Sequence, residues 1–469
     1  MDKNGIAKNI SYTVSSNLLA FAISALVTFF VPKYIGVESY GLFQLYVFYS
    51  SYVGFLHFGW ADGLYLRYGG EYYSELDKHK MGAQFWLITV FEVIVSASIC
   101  VVGSQVAGSN KRIVIMMTAA TVSIVISRTL LQYILQCTNR IKEYSRTVII
   151  ERGIYFIFVL VFLVIGQTEF YMFILSDIIG KTIALIAAII YCKEVVFSRP
   201  ERLSSSISEA MNNISVGMKL MLSNIASMLI IGIVRYSIER QWDVSTFGKV
   251  SLSLSVSNML LVLVNAVALV MFPMLRRTKH EKYSQIYIVL RNVLMFILLG
   301  MLIVYYPVKS LLSMWLPQYS DSLKYLSILF PMCVFESKNS MLVATYMKAL
   351  RKEKQLLIVN VITMILSIVA TSITVYILSS LDAAVMSIIA LIAVRSILGE
   401  LSLRKELNIN IVKEIALDVA ITTVFIASSW RIGSAVGLII YVIAYGTYLL
   451  IKKKDVTELL RLAQRTGLK

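Results

Sequence analysis

Apolar blocks of roughly 18–24 residues recur along the whole chain, and each is long enough to cross about 30 Å of hydrocarbon at 1.5 Å per residue. About 14 such blocks can be placed, with approximate boundaries 10–31, 42–60, 83–103, 113–135, 147–165, 170–191, 216–238, 250–272, 286–306, 325–347, 356–379, 383–402, 411–429 and 433–451. Only helices and closed barrels satisfy their backbone inside a bilayer. The blocks lack the alternating pattern of barrel strands. The expected fold is therefore all-α, a polytopic membrane protein whose spans are nearly the whole molecule. Composition agrees: 15% of residues are charged, against about a quarter in soluble domains. The run Ile10–Val31 has full span length and no small-residue cleavage site, so it is expected to stay as the first span.

The net charge of +17 suggests nucleic acid until its distribution is considered. With the loops numbered alternately, one set holds roughly 31 of the 44 Lys and Arg and the other roughly 8, leaving about 5 inside spans. The rich set includes Lys78 and Lys80, Arg140, Lys142 and Arg146, Lys348, Arg351, Lys352 and Lys354, and Lys452–Lys454. The positive-inside rule places that set, and both termini, in the cytoplasm. The charge is then a topology signal with some affinity for anionic lipid, and no nucleic-acid partner is expected. The loops of the other set are short, so whatever this chain does is expected to happen within the bilayer.

Two echoes indicate an internal repeat. Tyr40-Gly41 opens the second span and Phe247-Gly248 the eighth, 207 residues later. Asn139-Arg140-Ile141-Lys142-Glu143 follows the fourth span, and Leu350-Arg351-Lys352-Glu353-Lys354 follows the tenth. Aligning Arg140 with Arg351 gives an offset of 211. The implied organisation is a six-helix lobe at 1–192, a linker at 193–215, a second six-helix lobe at 216–403, and two additional spans with a basic tail at 404–469. Six is even, so the repeats would be parallel about an axis along the membrane normal. Leu203–Ile214 is expected to lie on the membrane surface as a short amphipathic helix.

Polarity inside the spans is uneven. Span 1 carries Asn17, Ser24 and Thr28. Span 2 carries Gln44, Tyr46, Ser50, His57 and Asp62. Span 7 carries Asn224, Ser227 and Arg235, and span 8 carries Ser251, Ser255, Asn258 and Asn265. Spacings of three, four and seven hold such residues on one face. Ser and Asn serve as helix–helix glue as readily as cavity lining. Spans 9, 13 and 14 read as close to uniformly apolar.

Ionisable residues say more, because a charge at mid-membrane costs at least about 2.5 kcal/mol and has to face protein or water. They are Glu92, Arg128, Asp177, Lys181, Arg235, Glu336, Lys338, Arg395 and Glu400. Asp177 and Lys181 are four apart and can pair on their own helix. Glu336 and Lys338 are two apart and point different ways. Arg128 has no acid three or four residues away on its own helix, which marks it as an unpaired buried cation. Cations outnumber acids among the deeper members, which suits an anionic solute such as a pyrophosphate-linked lipid. There is no GxxxxGK[ST] loop, no metal-ligand spacing among the three His and four Cys, and no Ser/His/Asp arrangement. No enzyme activity, metal or cofactor is expected.

The pattern Tyr34-Ile35-Gly36-Val37-Glu38-Ser39-Tyr40-Gly41-Leu42 resembles the LGxxxYG loop after the first span of Wzx-type polysaccharide flippases. Phe58-Gly59-Trp60 through Arg67-Tyr68, Asn139–Tyr144, Phe247-Gly248, Phe272-Pro273 and Tyr346-Met347-Lys348-Ala349 are similar to further short motifs of that family. The resemblance implies the fold of the multidrug/oligosaccharidyl-lipid/polysaccharide exporter superfamily, in which two six-helix lobes enclose a cavity lined by spans 1, 2, 7 and 8. It implies a flippase for an undecaprenyl-pyrophosphate-linked oligosaccharide in the cell membrane, moved by alternating access, with other glycan-assembly membrane proteins as potential partners. Many relatives have an Asp-Arg pair late in span 7; Val234-Arg235 stands there in this chain, so the acid is missing. The expected cavity residues are Arg128, Arg235, Lys338, Arg395, Asn17, His57, Asn224 and Asn258, with Arg128, Arg235 and either Lys338 or Arg395 on the anionic head group. The competing readings are a multidrug/cation exporter of the same superfamily, disfavoured because span 1 has no acid, and a non-transporting scaffold of a glycan-assembly complex.

Overall fold

A computed structural model describes residues 3–106, 108–199, 201–276, 280–432, 434–453 and 455. The side chains at 3–10, 260, 262–274, 276, 280 and 434 fall outside what it describes, among them Asn265, Phe272 and Pro273. Every regular element in it is helical. A helical segment stands at each of the 14 predicted blocks, and nine helices among the described residues are long and apolar enough to cross a membrane. The chain is an all-α, multi-pass membrane protein.

In chain order these are α1 (Lys3–Tyr34), α2 (Val37–Val53) and α3 (Trp60–Arg67) in the second block, α4 (Lys78–Ser104), α5 (Ser109–Cys137), α6 (Ile141–Val164), α7 (Phe170–Tyr191) and the short α8 (Lys193–Val196). They continue as α9 (Leu203–Gln241), α10 (Val244–Arg276), α11 (Tyr283–Met301) and α12 (Tyr305–Trp315). The tenth block is segmented into α13 (Leu323–Leu329), α14 (Met332–Ser337), a π-helical turn Lys338–Ala344, and α15 (Thr345–Ala349). Last come α16 (Glu353–Thr371), widening into a π-helical end at Ser372–Ile377, α17 (Leu381–Leu407), α18 (Val412–Arg431) and α19 (Ser434–Ile451).

Local chemistry starts and stops these helices. Asp77 caps α4 by accepting from the His79 and Lys80 N–H groups at 3.0 and 3.1 Å. Asp243 does the same for α10, accepting from the Thr246 N–H at 2.6 Å, and that bond holds its carboxyl below the usual carboxylate range. The helix ends also recur. α5 stops at left-handed Asn139, and the Arg140 N–H returns to the Leu135 carbonyl at 2.7 Å. α15 stops at left-handed Arg351, and the Lys352 N–H returns to Met347 at 2.8 Å. Both are the six-to-one closure of a Schellman ending. Left-handed Gly166 ends α6, and left-handed Ser379 follows the π-helical end of α16. The backbone thus aligns Asn139 with Arg351, an offset of 212 and one residue from the alignment by sequence; Gly166 with Ser379 gives 213. A duplicated half would leave these traces.

The chain divides into two compact units, Met1–Ile225 and Ala226–Lys469. The division falls inside α9 and not in the expected linker 193–215. No proline occurs between 201 and 272, so nothing breaks the helix that begins at Leu203 before it becomes span 7. The segment Leu203–Ile214 is also not a free surface helix. Its Glu209 is buried and accepts from Arg67 Nη1 at 2.7 Å and the Tyr68 hydroxyl at 2.6 Å, with Lys80 Nζ at 3.1 Å. Asn213 accepts from Arg67 at 2.6 Å.

That contact is possible because glycines face each other. A Cβ on Gly63 would stand 1.8 Å from the Asn213 carbonyl oxygen, and one on Gly217 would stand 1.9 Å from the Gly59 carbonyl oxygen. Apolar area gives no net drive between helices in lipid, so close backbone approach has to supply the contact. In the first unit α5 is the hub. Its Ile126, Leu130, Leu131 and Ile134 are fully buried, while Val90, Val93 and Ile94 of α4 present an apolar outer face.

In the second unit a buried ionic quartet ties four spans. Arg291 of α11 bonds Glu400 of α17 at 2.8 Å and Asp418 of α18 at 2.5 Å. Lys338, at the start of the π-helical turn, reaches the same two acids at 2.5 and 3.0 Å. The Tyr287 hydroxyl also donates to Glu400 at 3.2 Å. All four charged side chains are at most 2% exposed. Spans 9 and 13 are therefore not uniformly apolar: each supplies one member. The two C-terminal helices are integral to this unit. Phe425 of α18 packs between Tyr305 and Tyr441, and the Tyr441 hydroxyl donates to the Leu299 carbonyl at 2.6 Å.

Two outcomes are expected. Gly63→Ala should cost about 1–3 kcal/mol by overpacking, whereas Gly153→Ala, which meets nothing within 4 Å, should be neutral; thermal unfolding in detergent measures both. Asp418→Asn should cost about 3–5 kcal/mol because a buried cation loses its partner. Adding Lys338→Met to it should recover part of that loss in the same assay.

Candidate functional site

The second span is not one helix. After α2 the chain turns through Gly54–Gly59, with Phe58 and Gly59 left-handed at φ 52° and 82°, and restarts as α3. Broken spans free backbone groups at membrane depth and are tolerated where protein re-satisfies them. Here the Gly59 N–H donates to His57 Nδ1 at 2.9 Å. That bond makes Nδ1 the acceptor and leaves the ring proton on Nε2, which lies 3.8 Å from Asp62 Oδ2. The Tyr133 hydroxyl of α5 donates to the other Asp62 oxygen at 3.4 Å. Trp60 Nε1 donates to Gln84 of α4 at 2.8 Å, and Gln84 in turn donates to the Ser206 carbonyl at 2.9 Å. His57 is 4% exposed. It belongs to a buried His–Asp–Tyr group at the break.

The expected cations are all placed against partners. Arg128 is ion-paired with Glu151 of α6, so its designation as unpaired is corrected. The two residues are 23 apart in sequence, outside any same-helix rule. Asp177 and Lys181 pair at 2.5 Å as expected, and the Tyr46 hydroxyl donates to Asp177 at 2.6 Å. Glu336 and Lys338 do serve different partners. Lys338 joins the quartet described above. Glu336 pairs with Arg395 of α17, which also donates to the Ser227 hydroxyl at 2.7 Å. Arg235 donates to Ser251 of α10 at 3.0 Å and lies 5.2 Å over the Phe247 ring. The bias toward cations is thus neutralised locally at Arg128, Lys338 and Arg395. Of these three, Arg395 has the most accessible partner: the Glu336 side chain is 17% exposed, against 8% for Glu151 and at most 1% for Glu400 and Asp418.

The three asparagines behave oppositely. Asn17, Asn224 and Asn258 are exposed although each lies within an apolar helix, and Ser24, two turns after Asn17, is exposed as well. Asn17 and Asn224 are 207 apart, the offset of Tyr40 and Phe247. A carboxamide is poorly matched to hydrocarbon, so these helix faces suit polar surroundings. The eight expected residues therefore fall into separate settings and not one cationic set. Glu151, Arg291 and Asp418 were missed. Arg291 is the one charge inside the block 286–306, and Asp418 lies a turn beyond Lys413 and Glu414 in the block 411–429. Among the described residues, no group of three or more His, Cys, Asp or Glu side chains could hold a metal ion.

No protein-family model matches this sequence, and no curated protein matches it. Solved structures do. The lipid II flippase MurJ in an inward closed conformation superposes with a TM-score of 0.60 at 12% identity, covering 96% of this chain and 100% of that one. An outward-facing MATE-family multidrug resistance transporter of the MOP superfamily gives 0.55 at 13% identity, covering 86% of this chain and 96% of that one. An inward-facing MATE-family transporter gives 0.56 at 12% identity, covering 87% and 95%. At such identities the likeness is one of fold: this chain has the helical architecture seen in MATE transporters and in the lipid II flippase.

Proposed function

We propose that the chain is a flippase that carries an undecaprenyl-pyrophosphate-linked oligosaccharide across the cell membrane for surface polysaccharide synthesis, with both termini in the cytoplasm. It would work by alternating access between two six-helix halves, 1–192 and 216–403, with 193–215 as the connection and 404–469 adding two helices. It would carry no catalytic group. The observation that carries the reading is the extent of the shared architecture. The likeness to the lipid II flippase takes in 96% of this chain, that to the multidrug transporters 86% or 87%. In this chain α18 is joined to the rest of the second unit by the Asp418 ion pairs and α19 by the Tyr441 hydroxyl bond to the Leu299 carbonyl.

The side-chain chemistry fits such a cargo. A sugar needs hydrogen-bonding groups that neither carry charge nor demand a counter-ion, and Asn17, Asn224 and Asn258 offer exposed carboxamides. A pyrophosphate needs a planar donor fork. Arg395 is the best placed of the buried cations, because phosphate oxygens can take over from the part-exposed Glu336 carboxylate without leaving the guanidinium bare. On this reading Arg395, not Arg128, holds the head group.

The multidrug/cation exporter remains the second reading, favoured by the MATE likenesses and disfavoured by a first span without an acid between Ile10 and Val31. Proteoliposomes separate the two. With a fluorescent lipid-linked oligosaccharide and an impermeant quencher outside, the protein should convert the protected inner-leaflet pool into a quenchable one. Arg395→Gln should slow this about 10-fold or more, the equivalent of one charge-assisted hydrogen bond. Arg128→Gln should act mainly on stability. Export of a cationic dye with no movement of the lipid would replace the flippase reading by the exporter.

A further inference from the structure

Glu92 of α4 is fully buried, and neither of its carboxylate oxygens has a hydrogen-bond partner among the described residues. Its depth is central. It lies 14 residues from Lys78 and 12 from Ser104, so about 21 and 18 Å from the two ends of α4 at 1.5 Å per residue. Its face is the seam with α5. Three residues before it, the Thr89 hydroxyl is hydrogen-bonded to the Ser127 hydroxyl at 2.8 Å. Four residues after it, the Ser96 hydroxyl donates to the Ala119 carbonyl at 2.7 Å. These spacings set Thr89, Glu92 and Ser96 on one side of the helix. Of the α5 hydroxyls along that stretch, Ser127 is bonded to Thr89, Thr118 to Val114 and Thr121 to Thr118, and the half-buried Ser123 makes no hydrogen bond to Glu92.

Among the described residues, no cation is paired with it. On α5, Lys111 and Arg112 stand at its first turn, the latter donating to the Val106 carbonyl, and Arg128 is held by Glu151. α8 meets α4 at Gly82, so its Lys193 and Glu194 lie near the opposite end from mid-span. At the break in span 2 and on α3, His57 and Asp62 face each other and Arg67 is bonded to Glu209. From the start of α9, Glu209 is taken by Arg67, Tyr68 and Lys80. A fully buried ionised carboxylate with neither a donor nor a cation beside it is the most costly state for this position, and the neutral acid is the milder one.

We infer that Glu92 is a proton-binding site: in this arrangement the carboxyl carries a proton, and it can give that proton up only when water enters the seam between α4 and α5. The chemistry is one reversible step, in which the O–H bond breaks, the electron pair stays on the carboxylate and the proton goes to the entering water. Its position midway between the ends of α4 gives it no bias toward either side of the membrane. If transport opens the seam, each cycle moves one proton on or off this residue; that coupling rests on the transporter reading, whereas the proton site does not.

The test uses the full-length protein in nanodiscs at neutral pH. Dicyclohexylcarbodiimide modifies protonated carboxyls in apolar surroundings, and peptide mass spectrometry should find the adduct on Glu92. Infrared spectra should show a protonated-carboxyl carbonyl band that is lost in Glu92→Gln, an isosteric change expected to fold. An unlabelled Glu92, or a Glu92→Gln spectrum with that band intact, overturns the inference. Should Glu92→Gln fail to fold, labelling of the native protein decides alone. Neither readout uses a substrate, so failure here leaves the flippase proposal standing, and failure of lipid transport leaves the proton site standing.

Discussion

Hydrocarbon cannot solvate an ion, so each charge within a span has to meet its counter-charge inside the protein or lose it by protonation. Much of this molecule follows from that demand. Arg128 and Glu151 join α5 to α6, Asp177, Lys181 and Tyr46 join α7 to α2, and Arg395 and Glu336 join α17 to α14. The quartet of Arg291, Lys338, Glu400 and Asp418 brings four spans to one point. Removing two charges together from such a network is milder than removing one, which is why its members hold one another in place. Glu92 has no counter-charge among the described residues, and the proton proposed for it would meet the same demand.

The backbone obeys the same demand. Where the second span breaks, His57 and Gly59 satisfy each other locally, and Trp60 and Gln84 carry the connection on to α9. Where the tenth span meets Pro331, α13 ends at Leu329 and the chain restarts as α14 at Met332. That helix widens into a π-helical turn that begins at Lys338 and sets that ammonium between two acids. Irregular backbone and buried charge coincide at both places. A break is tolerable only where other protein groups are close, and those are also the only sites where charge is tolerable.

Three neutral polar groups are placed differently, although others such as Gln132, Asn292, Asn339 and Asn360 are buried. Asn17, Asn224 and Asn258 stay exposed on apolar helices, while ionised residues of the spans sink into paired clusters. A flippase reading uses both. Carboxamides suit the sugar of a lipid-linked cargo, and an arginine whose partner can be displaced suits its pyrophosphate. No permanently bare cation is required, which removes the electrostatic trap that a cationic cavity would set for an anionic cargo.

The amino-acid sequence by itself determined the spans, because their length and apolarity are local properties set by bilayer thickness. It also determined same-helix neighbours such as Asp177 and Lys181, since helical pitch puts residues four apart on one face. The recurring helix endings were legible to within a residue, through short motifs such as Asn139-Arg140 and Arg351-Lys352. Only the tertiary structure decided which helix neutralises which charge. The partners of Arg128, Arg291 and Lys338 lie 23 to 127 positions away along the chain, and no periodicity reaches that far. It also decided that α9 runs unbroken from Leu203 into span 7, because the Gly59, Gly63 and Gly217 contact that holds its start is a meeting of backbones, and glycine leaves no side chain from which such a meeting could be read.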